Sequence, residues 1–185
     1  MKLLLKNVRL AFPNLFTAQQ VNGQGDPKFG GAFIFAPDHP AKKLVTDACR
    51  AVATEEWDAK ADEVLKAIAA SDKLCIHNGD TKADYEGYGG MYFVNTSNKT
   101  RPLVIDRNKS PLTAQDGKPY AGCYVNASIE LWAQDNKFGK RINASLRGVQ
   151  FEADGDAFAG GGVADEGEFE SLEAPAAGAA GDDLI

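Results

Sequence analysis

The sequence predicts a mainly β fold of the α+β class: a small closed barrel or sandwich of five to six strands, with one or two helices inserted after the second strand and a disordered acidic tail. Three observations predict it. Apolar and polar residues alternate with a period of two in segments on both sides of one stretch of helical spacing. Asn, Gly, Pro and Asp fill the gaps between those segments. Past Phe151 the composition turns to Gly, Ala, Asp and Glu, which bury too little apolar surface to offset the entropy of ordering a chain.

"KLLLKNVRLAF" alternates until Lys6 and Asn7, where the phase slips, as in a strand carrying a bulge. Pro13 is expected to end it. "QQVNGQGDP" (19–27) has turn chemistry throughout, and "KFGGAFIFAP" reads as a second strand stopped by Pro37. Its alternation leaves open whether Phe29, Phe33 and Phe35 or Ala32, Ile34 and Ala36 face inward. Asp38 is the expected N-cap of a helical stretch, because Leu44, Ala48, Ala51 and Val52, then Ala61, Val64, Leu65 and Ile68, recur at helical spacing up to Ser71.

From Lys73 the pattern returns to strands: "KLCIH", "GGMYFVNTSN", "PLVID", "GCYVNASIELWAQ" and "KRINASLRGVQF", expected to form successive hairpins. In the fourth of these Cys123, Val125, Ala127, Ile129 and Leu131 share one face, leaving Tyr124, Asn126, Ser128, Glu130 and Trp132 on the other. In the fifth, Ile142, Ala144 and Leu146 point inward, so Arg141, Asn143, Ser145 and Arg147 join the face that carries the aromatics. The boundary between a domain of residues 1–153 and a disordered acidic tail of residues 154–185 follows from the change in composition. No internal repeat is evident.

The formal net charge of −6 conceals an uneven distribution. Of 26 acidic residues ten lie from Glu152 onward, where there is no Lys or Arg, so the first 151 residues hold 16 against all 20 basic ones. The helical stretch 38–72 is itself acidic, which leaves the strands basic: a positive β body beside a negative tail. Cys49, Cys75 and Cys123 are odd in number and lack any CxxC pair, so neither a disulfide framework nor a zinc ribbon is indicated and a reducing cytoplasm fits. "MKLLLKNVRL" is too short in apolar residues for a signal-peptide core, and no run is long enough to span a bilayer. A protein that is not exported is expected.

Tyr92, Tyr124 and Trp132, with Lys99, Arg101, Lys140, Arg141 and Arg147 and the "NKFGKR" turn that adds Lys137, mix flat rings with cations as single-stranded nucleic acid requires. Unpaired bases stack on Tyr or Trp while a basic groove follows the phosphates. Phe12, Phe16, Phe29 and Phe33 extend the platform in second rank, since Phe more often belongs to a core. The competing account makes the aromatics a cover for the sheet and the cations solvated surface. "GQGDPKFGG" lacks the Lys-Ser/Thr of a phosphate-binding loop and reads as a hairpin loop. Cys75 with His77 is half of a metal site at most, and the spacing of Asp80, Asp84, Glu86 and Asp106 selects no two-metal nuclease. The closing "DDLI", with Asp182, Asp183, Leu184 and Ile185, joins two charges to two aliphatic side chains and suits a basic-rimmed apolar pocket.

"VRLAFPNLF", "YFVNTSNKTRPLVIDR", "YAGCYVNASIELWA" and "GVQFEADGDAFAGG", in that order over residues 7 to 162, resemble a phage family of single-stranded DNA-binding proteins with an OB-like fold. The resemblance implies an OB-like five- to six-stranded β-barrel that coats single-stranded DNA in phage replication or recombination, is not an enzyme, needs no cofactor and works in the cytoplasm of the infected bacterial host. It implies further that the tip, Asp182 to Ile185, docks on phage or host replication proteins, and that copies associate along DNA. Two departures stand out. Tips of better-known relatives often finish in Phe, and the usual OB order places its helix after the third strand. The alternative is a phage structural or oligosaccharide-binding β-barrel whose aromatics contact sugar or protein.

Overall fold

The structure is a computed structural model that describes residues 1–158; the expected tip, Asp182, Asp183, Leu184 and Ile185, lies outside the described residues. The strands are β1 (Lys2–Val21), β2 (Gln24–Phe35), β3 (Ile76–Asn78), β4 (Tyr92–Asn98), β5 (Leu103–Ile105), β6 (Tyr124–Asn136) and β7 (Gly139–Ala153), and the helices α1 (Pro40–Trp57) and α2 (Ala61–Ala70) follow β2. All seven strands join one sheet in the order β3-β4-β2-β1-β6-β7-β5. The strand count is therefore seven and not five to six, and the helices stand where the periodicity placed them. No helix among the described residues is long and apolar enough to cross a membrane.

β1 slips register between Leu5 and Val8, at the expected bulge, where Asn7 takes φ +50° and its N–H bonds the Asn126 side chain at 2.9 Å. Pro13 does not end β1, contrary to the sequence expectation. It sits in a second irregularity between Ala11 and Asn14, where the ladder asks for no N–H and a proline costs nothing. β1 and β2 close through Asn22 and Gly23, both at positive φ, the two-residue loop whose twist matches the strands. His39, not Asp38, caps α1: Pro40 fixes the first helical position, so the residue before it becomes the cap, and its Nδ1 accepts the Ala41 N–H at 3.1 Å.

The expected chain of hairpins also gives way. β4 pairs with β2 on one edge and β3 on the other, so β5 finds no free edge beside its predecessor and adds in parallel to β7, Leu103 beside Gly148. Of the strands after Lys73, only β3 with β4 and β6 with β7 pair antiparallel with their neighbours in the chain. β3 and β5 have three residues each and no ladder joins them among the described residues. The sheet nonetheless curls far enough for the Ile142 N–H to reach the Lys73 carbonyl at 3.2 Å and for the Asn98 side chain to donate to the Leu146 carbonyl at 2.9 Å.

The main core fills that curl: Leu5, Val8, Leu10, Phe33, Phe35, Val94, Val125, Ile129, Leu131, Ile142 and Leu146, with Val45, Cys49, Val52 and Trp57 of α1 against them. The five residues from Cys123 to Leu131 assigned to one face of β6 are all inaccessible. For β2 neither alternative alone is right. Phe33 and Phe35 enter the main core, while Ala32 and Ile34 enter a second cluster on the other side with Ala11, Tyr88 and Phe93. Phe33 is thereby removed from the candidate DNA contacts, because it is wholly buried under α1 and the facing strands.

Candidate nucleic-acid interface

The side of the sheet turned away from the main core is read directly from the register. His77, Phe93, Ile34, Arg9 and Tyr124 lie in one row across five strands. Two segments cover that row. Residues 79–91 lie over Phe93 and Ile34, and residues 154–158 lie over Arg9 and Tyr124.

The second segment is the first part of the expected tail, and it is fastened to the body. The Gly155 N–H bonds the Tyr120 hydroxyl at 3.1 Å, that hydroxyl donates to Asp154 at 2.8 Å, and the Phe158 N–H reaches the Ala121 carbonyl at 3.1 Å. Arg9 donates to the carbonyls of Gly122 (3.0 Å) and Asp156 (2.7 Å), and its guanidinium lies 4.3 Å from the Phe158 ring centroid. Gly155 has to be glycine here, since a Cβ would come within 3.0 Å of the Tyr124 ring and 2.4 Å of the Gly122 carbonyl. Tyr124 is consequently half-buried beneath the strap and Arg9, not an open ring.

Trp132 is open. It is 44% exposed on the outer side of β6, and its indole N–H donates to Ser145 of β7 at 3.0 Å, which fixes the ring's orientation. Asn143 stands opposite it and Arg141 one step further toward the hairpin tip, opposite Gln134. At the tip Phe138 is 73% exposed with the Lys137 ammonium 5.0 Å from its ring, and the Asn136 side chain accepts the Phe138 N–H at 2.9 Å, which ties the backbone of the turn that carries the ring. Tyr124 and Trp132 share a side of β6 but stand eight residues apart, roughly 26 Å along a strand. They are two stations on one face and not neighbours in one stack.

Tyr92 does not join them. It has the parity of Val94 and pairs with Phe35, so it faces the helix side, half-buried, with the Lys42 ammonium 4.0 Å from its ring. Phe16 packs on the main core under Arg101, whose guanidinium is 5.7 Å from the ring, and Phe29 is half-buried opposite Asn98. Phe12 points outward, 52% exposed, with its ring edge-on to Tyr85 at 5.3 Å.

Of the five expected cations three carry carboxylate partners. Arg147 pairs with Glu130 and Lys99 with Asp26, each at 2.5 Å, and Lys140 pairs with Asp135 on the helix side, close to Trp57. The Lys99 ammonium holds the Asp26 carboxyl below its ordinary value, and Lys140, with the Trp57 indole N–H, does the same to Asp135. Arg141 has no ion-pair partner among the described residues.

The metal alternatives find no support in the geometry. His77 bonds Asp72 at 2.6 Å and stacks on Phe93, Asp80 accepts the Gly90 N–H, and Asp106 caps its own turn through Asn108 and Ser110. No group of three metal-ligating side chains gathers among the described residues. Residue types alone missed Arg9, Tyr85 and Phe138. Only Phe138 carried a signal: an aromatic inside "NKFGKR" sits in a two-residue turn and has nothing local to pack against.

Comparisons with known proteins agree with this architecture. A family model described as the ssDNA-binding protein of Enterobacter phage Enc34 matches residues 1–183. Protein p50 of Acyrthosiphon pisum secondary endosymbiont phage 1 is 49% identical over 175 residues, 93% of this chain and 94% of that one. The structure of the bacteriophage Enc34 single-stranded DNA-binding protein in complex with ssDNA superposes with a TM-score of 0.72 at 26% identity, covering 84% of this chain and 88% of that one. The gp2.5 single-stranded DNA-binding protein of bacteriophage T7 shares the fold at a TM-score of 0.56 and 11% identity, covering 93% and 100%.

Proposed function

Because the chain belongs to the family of the phage Enc34 ssDNA-binding protein, a family of binding proteins and not of enzymes, we propose that it coats single-stranded DNA in phage replication or recombination with little sequence preference. The observation that carries this reading is the outer side of the β6–β7 hairpin. Trp132 is exposed and braced by Ser145, Arg141 stands nearby with no ion-pair partner among the described residues, and Phe138 and Lys137 project from the tip. Any base offers a face to an indole, so stacking is indifferent to sequence, and the cations meet the phosphates that every nucleotide carries.

Titration with oligo-dT tests it, read by tryptophan fluorescence. Trp57 is buried with its N–H on Asp135 at 2.9 Å, so quenching by stacked bases reports Trp132. The logarithm of the binding constant should fall linearly with the logarithm of salt concentration, with a slope of about −0.7 per phosphate neutralised. Binding that ignores salt would remove the phosphate half of the proposal and favour a sugar- or protein-binding module.

The acidic tail is assigned a regulatory part. The sequence beyond Phe158, which lies beside Arg9, carries seven acidic side chains. A tethered polyanion at high local concentration competes with DNA for the same cations, and DNA occupancy frees Asp182, Asp183, Leu184 and Ile185 for replication partners. Removing residues 159–185 while keeping the strap should tighten oligo-dT binding by about tenfold at low salt and much less at high salt. Equal affinity of the two forms at low salt would refute the competition.

A further inference from the structure

The two ends of the β1–β6 ladder carry complementary features. At one end the β6–β7 turn consists of Lys137 and Phe138, between Asn136 and Gly139, and leaves the Phe138 ring 73% exposed. Lys137 has no ion-pair partner among the described residues. The other end lies past the Arg9–Tyr124 pair, roughly 40 Å of strand from that turn. There Phe12 and Tyr85, each 52% exposed, meet edge-on at 5.3 Å and 88°, which makes an open aromatic corner. Asp84 and Glu86 flank Tyr85 in the chain and are exposed. One end is thus a ring with a cation on a projecting turn, and the other an aromatic corner with an acidic rim.

Both features are carried on the sheet. The hairpin gains nothing from a bulky ring in a two-residue turn, where Asn and Gly are the favoured occupants. Phe12 is held outward by a positive φ of 47°, an unfavourable backbone for a bulky side chain, at the register irregularity between Ala11 and Asn14. The segment bearing Tyr85 is anchored by Tyr88, which packs on Ala11, Ala32, Ile34 and Phe93. Hydrogen bonds hold it as well: the Gly79 N–H to the Met91 carbonyl at 2.7 Å, the Met91 N–H to the Tyr88 carbonyl at 3.0 Å, and the Gly90 N–H to Asp80 at 2.7 Å. Set at opposite ends of paired strands, the tip and the corner cannot meet within one chain. Two chains can bring them together.

We propose that Phe138 of one copy docks in the Phe12–Tyr85 corner of the next, with Lys137 against the acidic rim of Asp84 and Glu86, so that copies line up head to tail on one DNA strand. The two surfaces differ, so the contact repeats along a row without closing on itself. It rests on the single-stranded DNA reading above and narrows it: Trp132 and Arg141 serve the DNA, and the tip serves the neighbouring copy. A ring and a cation bury far less than the roughly 1,000 Å² that a stable interface needs, so free copies stay apart. Held on one strand, two copies face each other at high effective concentration, and the same small contact makes coating cooperative.

The test uses the full chain, a short oligo-dT that stoichiometry shows to hold one copy, and poly-dT. The readout is the ratio of per-site affinity for poly-dT to affinity for the short oligomer, which cancels any change in direct DNA contact. It should be about tenfold or more in the wild type and fall close to one in Phe138→Ser and in Tyr85→Ser, with the melting temperature held because both rings are exposed. Lys137→Glu and Asp84→Lys should each lower it, and the double variant, in which every contact again joins opposite charges, should recover most of the loss. A wild-type ratio near one, a ratio unchanged in the ring variants, or a double variant no better than the single ones would overturn the copy contact while leaving the general reading in place. A wild-type chain that binds neither ligand would overturn both.

Discussion

Replacing Phe33 by Ala will cost about 3–5 kcal/mol of folding stability. The ring is wholly buried, its residue paired with Leu10 of β1 on one side and Val94 of β4 on the other, and α1 closes the core that all three line. Truncation loses the transfer energy of the ring and leaves a cavity that two ladders of backbone hydrogen bonds prevent from collapsing. A domain of ordinary stability has about 5–15 kcal/mol in hand, so the variant should sit near the edge of folding. Urea denaturation will read this as a lower midpoint at nearly constant slope. A loss under about 1 kcal/mol would mean that the ring is not where the core requires it, and the assignment of Phe33 away from DNA would fail with it.

Trp132→Ala is the second large effect, and it falls on binding instead of folding. Loss of one stacked ring should weaken oligo-dT affinity by about 1–3 kcal/mol, roughly 5- to 150-fold. Stability should hardly move, because the indole is half in solvent and gives up one hydrogen bond, to a Ser145 hydroxyl that water can satisfy. Ser145→Ala is the informative companion. It keeps the indole but frees its orientation, and should cost a smaller part of the affinity. Isothermal calorimetry of both variants separates ring from brace. Unchanged affinity for Trp132→Ala would move the interface off the β6–β7 hairpin altogether.

The contrast between these residues shows where a sequence stops being informative. Both are aromatic residues in alternating strands. For Trp132 the partition of β6 into Cys123, Val125, Ala127, Ile129 and Leu131 against a polar side is unambiguous, so its outward direction was legible. For Phe33 the alternate positions Ala32 and Ile34 are apolar too, and the strand proved to be buried on both sides. The same ambiguity misplaced Tyr92, whose neighbour Phe93 is the one that faces away from the main core. The pairing of the cations was illegible for a different reason. Lys99 meets Asp26 from 73 positions away, and no local pattern predicts which carboxylate a long flexible side chain will find.

By itself the sequence determined the alternation of β1, β2, β6 and β7, the bulge at Asn7, the helical stretch after β2, and the separation of a basic body from an acidic end. These depend on periods of two and 3.6 residues and on side-chain charge, which are local properties. Tertiary structure alone decided that β5 crosses to β7, that the strap 154–158 covers Tyr124 and Arg9, that three of the cations are already paired, and that the buried Tyr88 hydroxyl has no partner among the described residues. Each of those follows from which strand edges remained unpaired and how far the sheet curled, and contacts between residues distant in the chain settle both.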